Sequence, residues 1–378
     1  MMKICHIITG LNVGGAEMVL YRLLLRLDKE RYESSVVSLT DLGPVGKKIQ
    51  SLGVSVKTLG MRYGISDLKG LITLVSHLKR NRFDLVQTWM YHANLIGSIA
   101  VKFSGRIPII WGLHHSNIDK KVDKLSTLLV ARLCAGLSHR LPAAIVCCSE
   151  ATRLVHIQHG YCEKKIVVIS NGCDLDEFKP DHTARETILK ELGLSNETLL
   201  IGLVARFHPQ KDHQTFIKAA EYLSKKNSRV HFVLVGRDIT QENQQLSQWI
   251  GKDTLSKRIH LLGERDDIPR IMASLDILTL SSCHGEGFPN VLVEAMACGT
   301  PCVTTNIGDS ALIVTDTGEI VPPKNPNALS DAWQKLLELN PERRKQLGLA
   351  ARERVVNNFS LDKTTQQYEK VYEDITAL

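Results

Sequence analysis

Short runs of β-branched and apolar residues alternate with longer stretches of helical periodicity along the chain, and this alternation restricts the fold more than any other feature. In the first half the runs fall at 3–8, 32–38, 85–88, 107–112 and 144–148, with helical stretches at 17–27, 68–82 and 93–103. A second series follows at 199–204, 231–235, 259–262, 277–280 and 302–304, with helices fitting at 214–225, 268–273 and 291–297. A strand that returns parallel to its neighbour needs a crossover of about a dozen residues, usually a helix. The expected fold class is therefore α/β, with doubly wound parallel sheets. A length of 378 residues suits two such domains. The polar segment 180–197, with a helical turn at 184–192, marks the break. The expected division is 1–180, 181–360 and a closing helix at 361–378, able to pack back on the first domain. Two Rossmann-like domains facing across a cleft would bind a ligand beyond the C-terminal ends of their strands.

Composition narrows the partners. Hydrophobic residues at 43% and charged residues at 23% let each half bury a core. No apolar run reaches the roughly 18 residues that span a bilayer; the nearest, 125–148, is broken by Arg132, His139, Arg140 and Pro142. Residues 1–8 are too short for a secretory leader and read as a first buried strand. The nine cysteines show no paired metal spacing and read as reduced core residues of a cytoplasmic protein. Residues 1–180 hold 24 Lys and Arg against 14 Asp and Glu, whereas 181–378 hold 23 against 26. The basic half suits an anionic partner, either a membrane surface or a phosphate-bearing acceptor. Aromatics at 5%, with no basic–aromatic motif, argue against nucleic acid. Within 117–141, Lys120, Lys121, Lys124, Arg132 and Arg140 interleave with Leu125, Leu128, Leu129, Val130, Leu133 and Leu137. That pattern fits a basic amphipathic helix lying on the inner face of a membrane. An ordinary domain helix with a solvated face is the plain alternative.

The densest chemistry lies after the expected strand 277–280, in His284-Gly285-Glu286-Gly287-Phe288-Pro289-Asn290-Val291-Leu292-Val293-Glu294-Ala295-Met296-Ala297-Cys298-Gly299-Thr300-Pro301. Gly285, Gly287 and Pro289 keep Glu286 in a loop. Asn290 is expected to cap the helix that follows, and Gly299 to end it. The first amides of that helix, at Val291 and Leu292, suit a pyrophosphate. Glu294, one turn in, can accept from a ribose diol, and Glu286 sits where a sugar ring would lie. A capped helix with two surface carboxylates is the bland alternative.

This segment resembles the E-x7-E motif of family-4 retaining glycosyltransferases, Glu286 and Glu294 being its two acids. The resemblance implies a GT-B fold, Glu286 on donor-sugar hydroxyls, Glu294 on the ribose, and backbone contacts from Gly287, Phe288, Pro289, Asn290, Val291 and Leu292. Other pieces are similar to the family. Gly202-Leu203-Val204-Ala205-Arg206-Phe207-His208-Pro209-Gln210-Lys211-Asp212 carries its Arg…Lys pair. Two fixed cations there can neutralise a diphosphate leaving group in place of a metal. Thr9-Gly10-Leu11-Asn12-Val13-Gly14-Gly15-Ala16-Glu17 resembles its N-terminal glycine loop, Gly14 and Gly15 letting backbone approach a phosphate or acceptor. Trp111-Gly112-Leu113-His114-His115-Ser116-Asn117 carries the histidine the family turns to the sugar, and its spacing selects His115 over His114. Ser170-Asn171-Gly172-Cys173-Asp174 resembles its domain crossover. Val235-Gly236-Arg237 resembles a glycine turn whose second glycine is replaced by Asp238, which argues against a tight turn there. Arg265 lies where the nucleotide base stacks. Asp174-Leu175-Asp176 has the form of a metal-binding D-x-D but falls in the crossover, so no metal is expected.

The implied activity is metal-independent, retaining transfer of a hexose or N-acetylhexosamine from a nucleotide diphosphate sugar, UDP-linked by family habit, to a glycan or lipid-linked acceptor. The expected catalytic set is His115, Glu286, Arg206 and Lys211, with no cofactor. A sugar-nucleotide epimerase on the same architecture and a non-catalytic nucleotide-sugar binder are the alternatives. Release of free nucleotide diphosphate on adding acceptor separates them.

Overall fold

The computed structural model describes residues 1–61, 67–114, 118, 124–252 and 254–377. The chain divides into two compact units, Met1–Gly172 with Leu361–Leu378, and Cys173–Ser360.

The first unit is built on β1 (Met2–Ile8), β2 (Tyr32–Ser38), β3 (Ser55–Thr58), β4 (Leu85–Trp89), β5 (Ile109–Leu113), β6 (Ala144–Cys147) and β7 (Ile166–Val168). They pair in the order β3-β2-β1-β4-β5-β6-β7, each pairing parallel. The reason for the continuous apolar runs is visible in β1. Cys5 and Ile7 join Val37, Val86 and Trp111 on one face of the sheet. Ile4 and Ile8 join Leu20, Leu23 and Val36 on the other. Side chains alternate between faces, and both faces are covered by helices, so most positions are apolar, and the buried polar ones, such as His6 and Gln87, are few. Each such side chain contributes about 1.5–3 kcal/mol on full burial.

The second unit repeats the plan with β8 (Leu199–Val204), β9 (Val230–Val235), β10 (Ile259–Leu261), β11 (Ile277–Leu280), β12 (Cys302–Thr305) and β13 (Gly318–Val321). The order is β10-β9-β8-β11-β12-β13, again parallel throughout. Ile201 and Leu203 pack with Phe216, Phe232 and Trp333, and Leu200 with Leu278, Leu292 and Met296 on the opposite face. The indole of Trp333 donates to Thr279 Oγ1 at 2.8 Å, satisfying its one polar atom. In this sheet the strand order reverses between β8 and β11, the point at which doubly wound folds bind ligands.

The crossover falls earlier than the boundary at 180 read from polarity. Cys173 N already donates to Phe359 O at 2.8 Å, and Phe178 lies in the second unit's core. Ahead of the polar segment 180–197, Cys173 and Phe178 are already buried in the second domain and Leu175 packs against its core. The closing helix, Leu361–Thr376, belongs to the first unit. Its Tyr368 and Tyr372 enter the core beside Ile4 and Ile8. Tyr372 OH bonds Gln87 Oε1, Arg31 pairs with Glu373, and Tyr32 OH donates to Glu373 Oε1 at 2.9 Å.

Candidate functional site

The site begins where β8 ends. The chain passes through Arg206, makes the short 3-10 turn Pro209–Lys211 and enters the helix His213–Lys226. Pro209 presets the turn. Asp212 takes a left-handed φ of 47° and its carboxylate accepts from Thr215 N at 3.2 Å, capping the helix. The turn is then tied to the loop after β11. Ser281 Oγ donates to Lys211 O at 2.7 Å, Cys283 N to Gln210 O at 2.9 Å, and Gln210 Nε2 to Gly285 O at 3.0 Å. These bonds bring Lys211 and Glu286 together. Lys211 Nζ lies 2.5 Å from Glu286 Oε1, and Ser282 Oγ donates to the same oxygen at 2.6 Å. The Glu286 side chain is only 8% exposed and that of Lys211 20%. A buried carboxylate needs a charged partner and hydrogen bonds, and Glu286 has both.

Backbone close to these two side chains is held by glycines. Gly236, at φ 144°, has no room for a side chain, because a Cβ would stand 2.3 Å from Ala205 O. Asp238 argued against a tight turn there, yet Ile239 N donates to Gly236 O at 3.1 Å and closes one. Asp238 itself adopts φ 63°, a conformation that Asp tolerates better than most residues. Gly308, after β12, has φ 60°, and a Cβ on it would stand 2.3 Å from Glu286 O. Its neighbour Asp309 donates its N–H to Gly287 O at 3.0 Å. Arg206 is exposed and makes no ion pair among the described residues, so its guanidinium is available to an anion.

The helix after the Glu286 loop spans Asn290–Ala297. Asn290 is its first residue and not its cap. Pro289 occupies the cap with no side-chain bond, and its carbonyl accepts from Leu292 N at 3.1 Å. A proline in the extended region starts a helix through its fixed φ, which moves the cap back one residue. Gly299, φ 79°, ends the helix, with Gly299 N on Met296 O and Thr300 N on Ala295 O, both at 3.0 Å. Glu294 is half-buried on this helix. Phe288 and Leu292 point into the core, and Val291 packs against it, so these residues have backbone rather than side chains to offer. Gly287 and Pro289 complete the loop.

Arg265 is committed elsewhere. It clamps Asp267 at 2.8 and 2.9 Å and Glu191 at 2.5 and 3.2 Å, and bonds to these carboxylates raise its pKa further. Four of its five N–H donors are thereby used, which leaves a planar face for stacking. Asp174 Oδ1 accepts from Asp176 N at 3.0 Å, so the D-x-D string makes a local turn. Among the described residues no three His, Cys, Asp or Glu are placed to share a metal ion.

The remaining expected residues lie in the first domain. Gly14 precedes the helix Gly15–Arg26 in extended conformation, and a Cβ on Gly15 would meet nothing within 4 Å. His115 lies outside the described residues. His114, passed over in the sequence, stacks on Trp89 with ring centroids 5.1 Å apart. Among the described residues neither of its nitrogens has a partner, and burial lowers its pKa to about 4, so the ring is neutral at neutral pH. Sequence reasoning also missed Gln210, Ser281, Ser282 and Gly308. Only Gly308, a glycine three residues past a strand, carried a signal of its own.

Two family models divide the chain between them. That described as Glycosyltransferase Family 4 matches residues 13–177, and that described as Glycosyl transferases group 1 matches residues 184–354. The chain belongs to glycosyltransferase family 4. Among curated family members it is 28% identical over 321 residues to the Escherichia coli UDP-Gal:alpha-D-GlcNAc-diphosphoundecaprenol alpha-1,3-galactosyltransferase, covering 83% of this chain and 81% of that protein. It is 24% identical over 379 residues to the Campylobacter jejuni N,N'-diacetylbacillosaminyl-diphospho-undecaprenol alpha-1,3-N-acetylgalactosaminyltransferase, covering 97% and 98%. Anabaena HepE in complex with UDP superposes with a TM-score of 0.87 at 23% identity, over 99% of this chain and 100% of that one. The fold of this family-4 glycosyltransferase is accordingly GT-B.

Proposed function

We propose that this chain is a retaining glycosyltransferase that moves a hexose or N-acetylhexosamine from a UDP-linked donor to a lipid-linked or glycan acceptor without a metal ion. The observation that carries the reading is the cluster at the C-terminal end of β8 and β11: Arg206 exposed, Lys211 against Glu286 at 2.5 Å, and the helix Asn290–Ala297 opening beside them. In the proposed reaction the bond from the anomeric carbon to the diphosphate oxygen breaks first. Arg206, Lys211 and the amino end of that helix take up the growing negative charge. The acceptor hydroxyl attacks from the face the diphosphate leaves, and a diphosphate oxygen takes its proton. Glu286 reads the sugar and Glu294 the ribose. The acceptor class is supported by the undecaprenyl-diphosphate sugars in the names of both curated relatives. A donor panel read by UDP release, with NMR of the product's anomeric configuration, tests the whole reading. An inverted product, or release that needs no acceptor, contradicts it.

The same proposal includes peripheral contact of the first domain with an anionic membrane. No described helix is long and apolar enough to cross one. On the helix Leu125–Ser138, Leu125, Leu129 and Leu133 stand 73%, 56% and 54% exposed at intervals of four. Leu125 and Leu129 line a groove of about 560 Å³ that Arg132 also lines. Residues 124–149 contain Lys124, Arg132 and Arg140 and no acid. Exposed leucines among cations suit an anionic lipid surface. Co-sedimentation with phosphatidylglycerol vesicles is expected, and Leu129→Glu with Leu133→Glu is expected to abolish it.

A further inference from the structure

We infer that Ser282 is a positioning residue of the donor site, holding Glu286 in place while Lys211 follows the departing phosphate. The inference rests on the donor-site reading above. Ser282 is fully buried just beyond β11, and its hydroxyl donates to Glu286 Oε1 at 2.6 Å. Lys211 Nζ reaches that same oxygen at 2.5 Å. One oxygen of the carboxylate therefore carries both contacts, and among the described residues Oε2 has no hydrogen-bond partner. Ser282 is fixed in turn from the neighbouring strand. Thr305, 1% exposed at the end of β12, donates its hydroxyl to Ser282 O at 2.6 Å. Gly308 packs against the backbone of Glu286 a few residues further on.

The two contacts on Oε1 differ in what they can do during a reaction. Lys211 is a point charge on a flexible stem with three donors, and charge developing on a phosphate draws it away from the carboxylate. The Ser282 hydroxyl is short, buried and neutral, so no phosphate draws it. Its bond to an ionised acceptor is of the stronger kind, and it keeps Glu286 from turning when the ammonium shifts. Oε2 then stays aimed at a sugar hydroxyl. Ser282 should matter to the sugar and not to the nucleotide.

The test measures affinity for UDP, UDP-galactose, UDP-glucose and UDP-N-acetylglucosamine by calorimetry on the full chain, comparing wild type, Ser282→Ala and Glu286→Gln. The expected result for Ser282→Ala is UDP affinity within twofold of wild type and affinity for the preferred nucleotide sugar about tenfold lower, the scale of a lost hydrogen bond to a charged group. Equal losses for UDP and nucleotide sugar would mean a collapsed loop, and no loss for either would mean an idle hydroxyl; both overturn the inference. If Glu286→Gln selectively weakens nucleotide-sugar binding while Ser282→Ala does not, only the Ser282 inference falls. If Glu286→Gln matches wild type throughout, the donor-site reading falls with it. Should the alanine variant not fold, Ser282→Cys, which keeps a weak donor of similar size, is read in the same way.

Discussion

Lys211 and Glu286 are 75 positions apart, and no local pattern couples them. The sequence assigns one to phosphate and the other to sugar, whereas the fold makes them an ion pair. Removing Lys211 leaves a buried carboxylate with the Ser282 hydroxyl as its described partner, so Lys211→Ala is expected to lower stability by up to about 3 kcal/mol. Urea unfolding of Lys211→Ala, Glu286→Gln and the double variant measures this, and the double variant should recover part of the loss. Glu294, outside that pair, affects binding alone: Glu294→Ala is expected to raise donor KM about tenfold with little change in kcat. Steady-state kinetics decide, and an unchanged KM removes Glu294 from the ribose. The limits of local reading are clear at Asn290 and Arg265. A cap moves by one residue when a proline can start the helix, and an arginine's partners depend on Glu191, which is distant in sequence.

At the scale of elements, strands buried on both faces were legible because most of their positions are apolar. β1, β8 and β11 fall within a residue of where periodicity sets them. The short outer strands β3, β7 and β13 were not, because at an edge only some positions are covered. Ser55 and Thr58 in β3 are exposed, so no apolar run marks that strand, whereas β7 is an apolar run of only three residues, with Val167 exposed, and is too short to stand out. The loops that position the site were legible as glycine-rich but not as mutually braced. Gly308 makes that bracing testable. Its positive φ and its approach to Glu286 O leave no space for a methyl group, so Gly308→Ala is expected to cost at least about 1 kcal/mol. It should also weaken nucleotide-sugar binding. Thermal unfolding with donor titration checks both, and wild-type behaviour in each rules out the brace.

For the whole molecule, the duplicated plan followed from two series of alternating elements, and the crossover was misplaced because polarity is a poor guide where a connecting segment is half-buried. Burial of histidines gives both domains the same response to acid. It lowers His6 to about 3, His114 to about 4 and His213 to about 4. Below the unfolded value near 6.5 the unfolded chain binds more protons than the folded one, so stability is lost as pH falls through 6.5 and continues to fall towards 4. The urea midpoint is therefore expected to drop steadily from about pH 7 to about pH 5, while a midpoint constant over that interval would show that these rings are not buried in neutral form.

Transfer chemistry in this molecule is attributed to side-chain cations acting on a leaving diphosphate. The most direct measurement is single-turnover UDP release with acceptor present, in excess EDTA, for wild type and Lys211→Ala. Wild type is expected to keep its full rate under chelation, and Lys211→Ala to fall about a hundredfold or more at saturating donor. Loss of wild-type activity on chelation, or a variant as fast as wild type, would contradict the account.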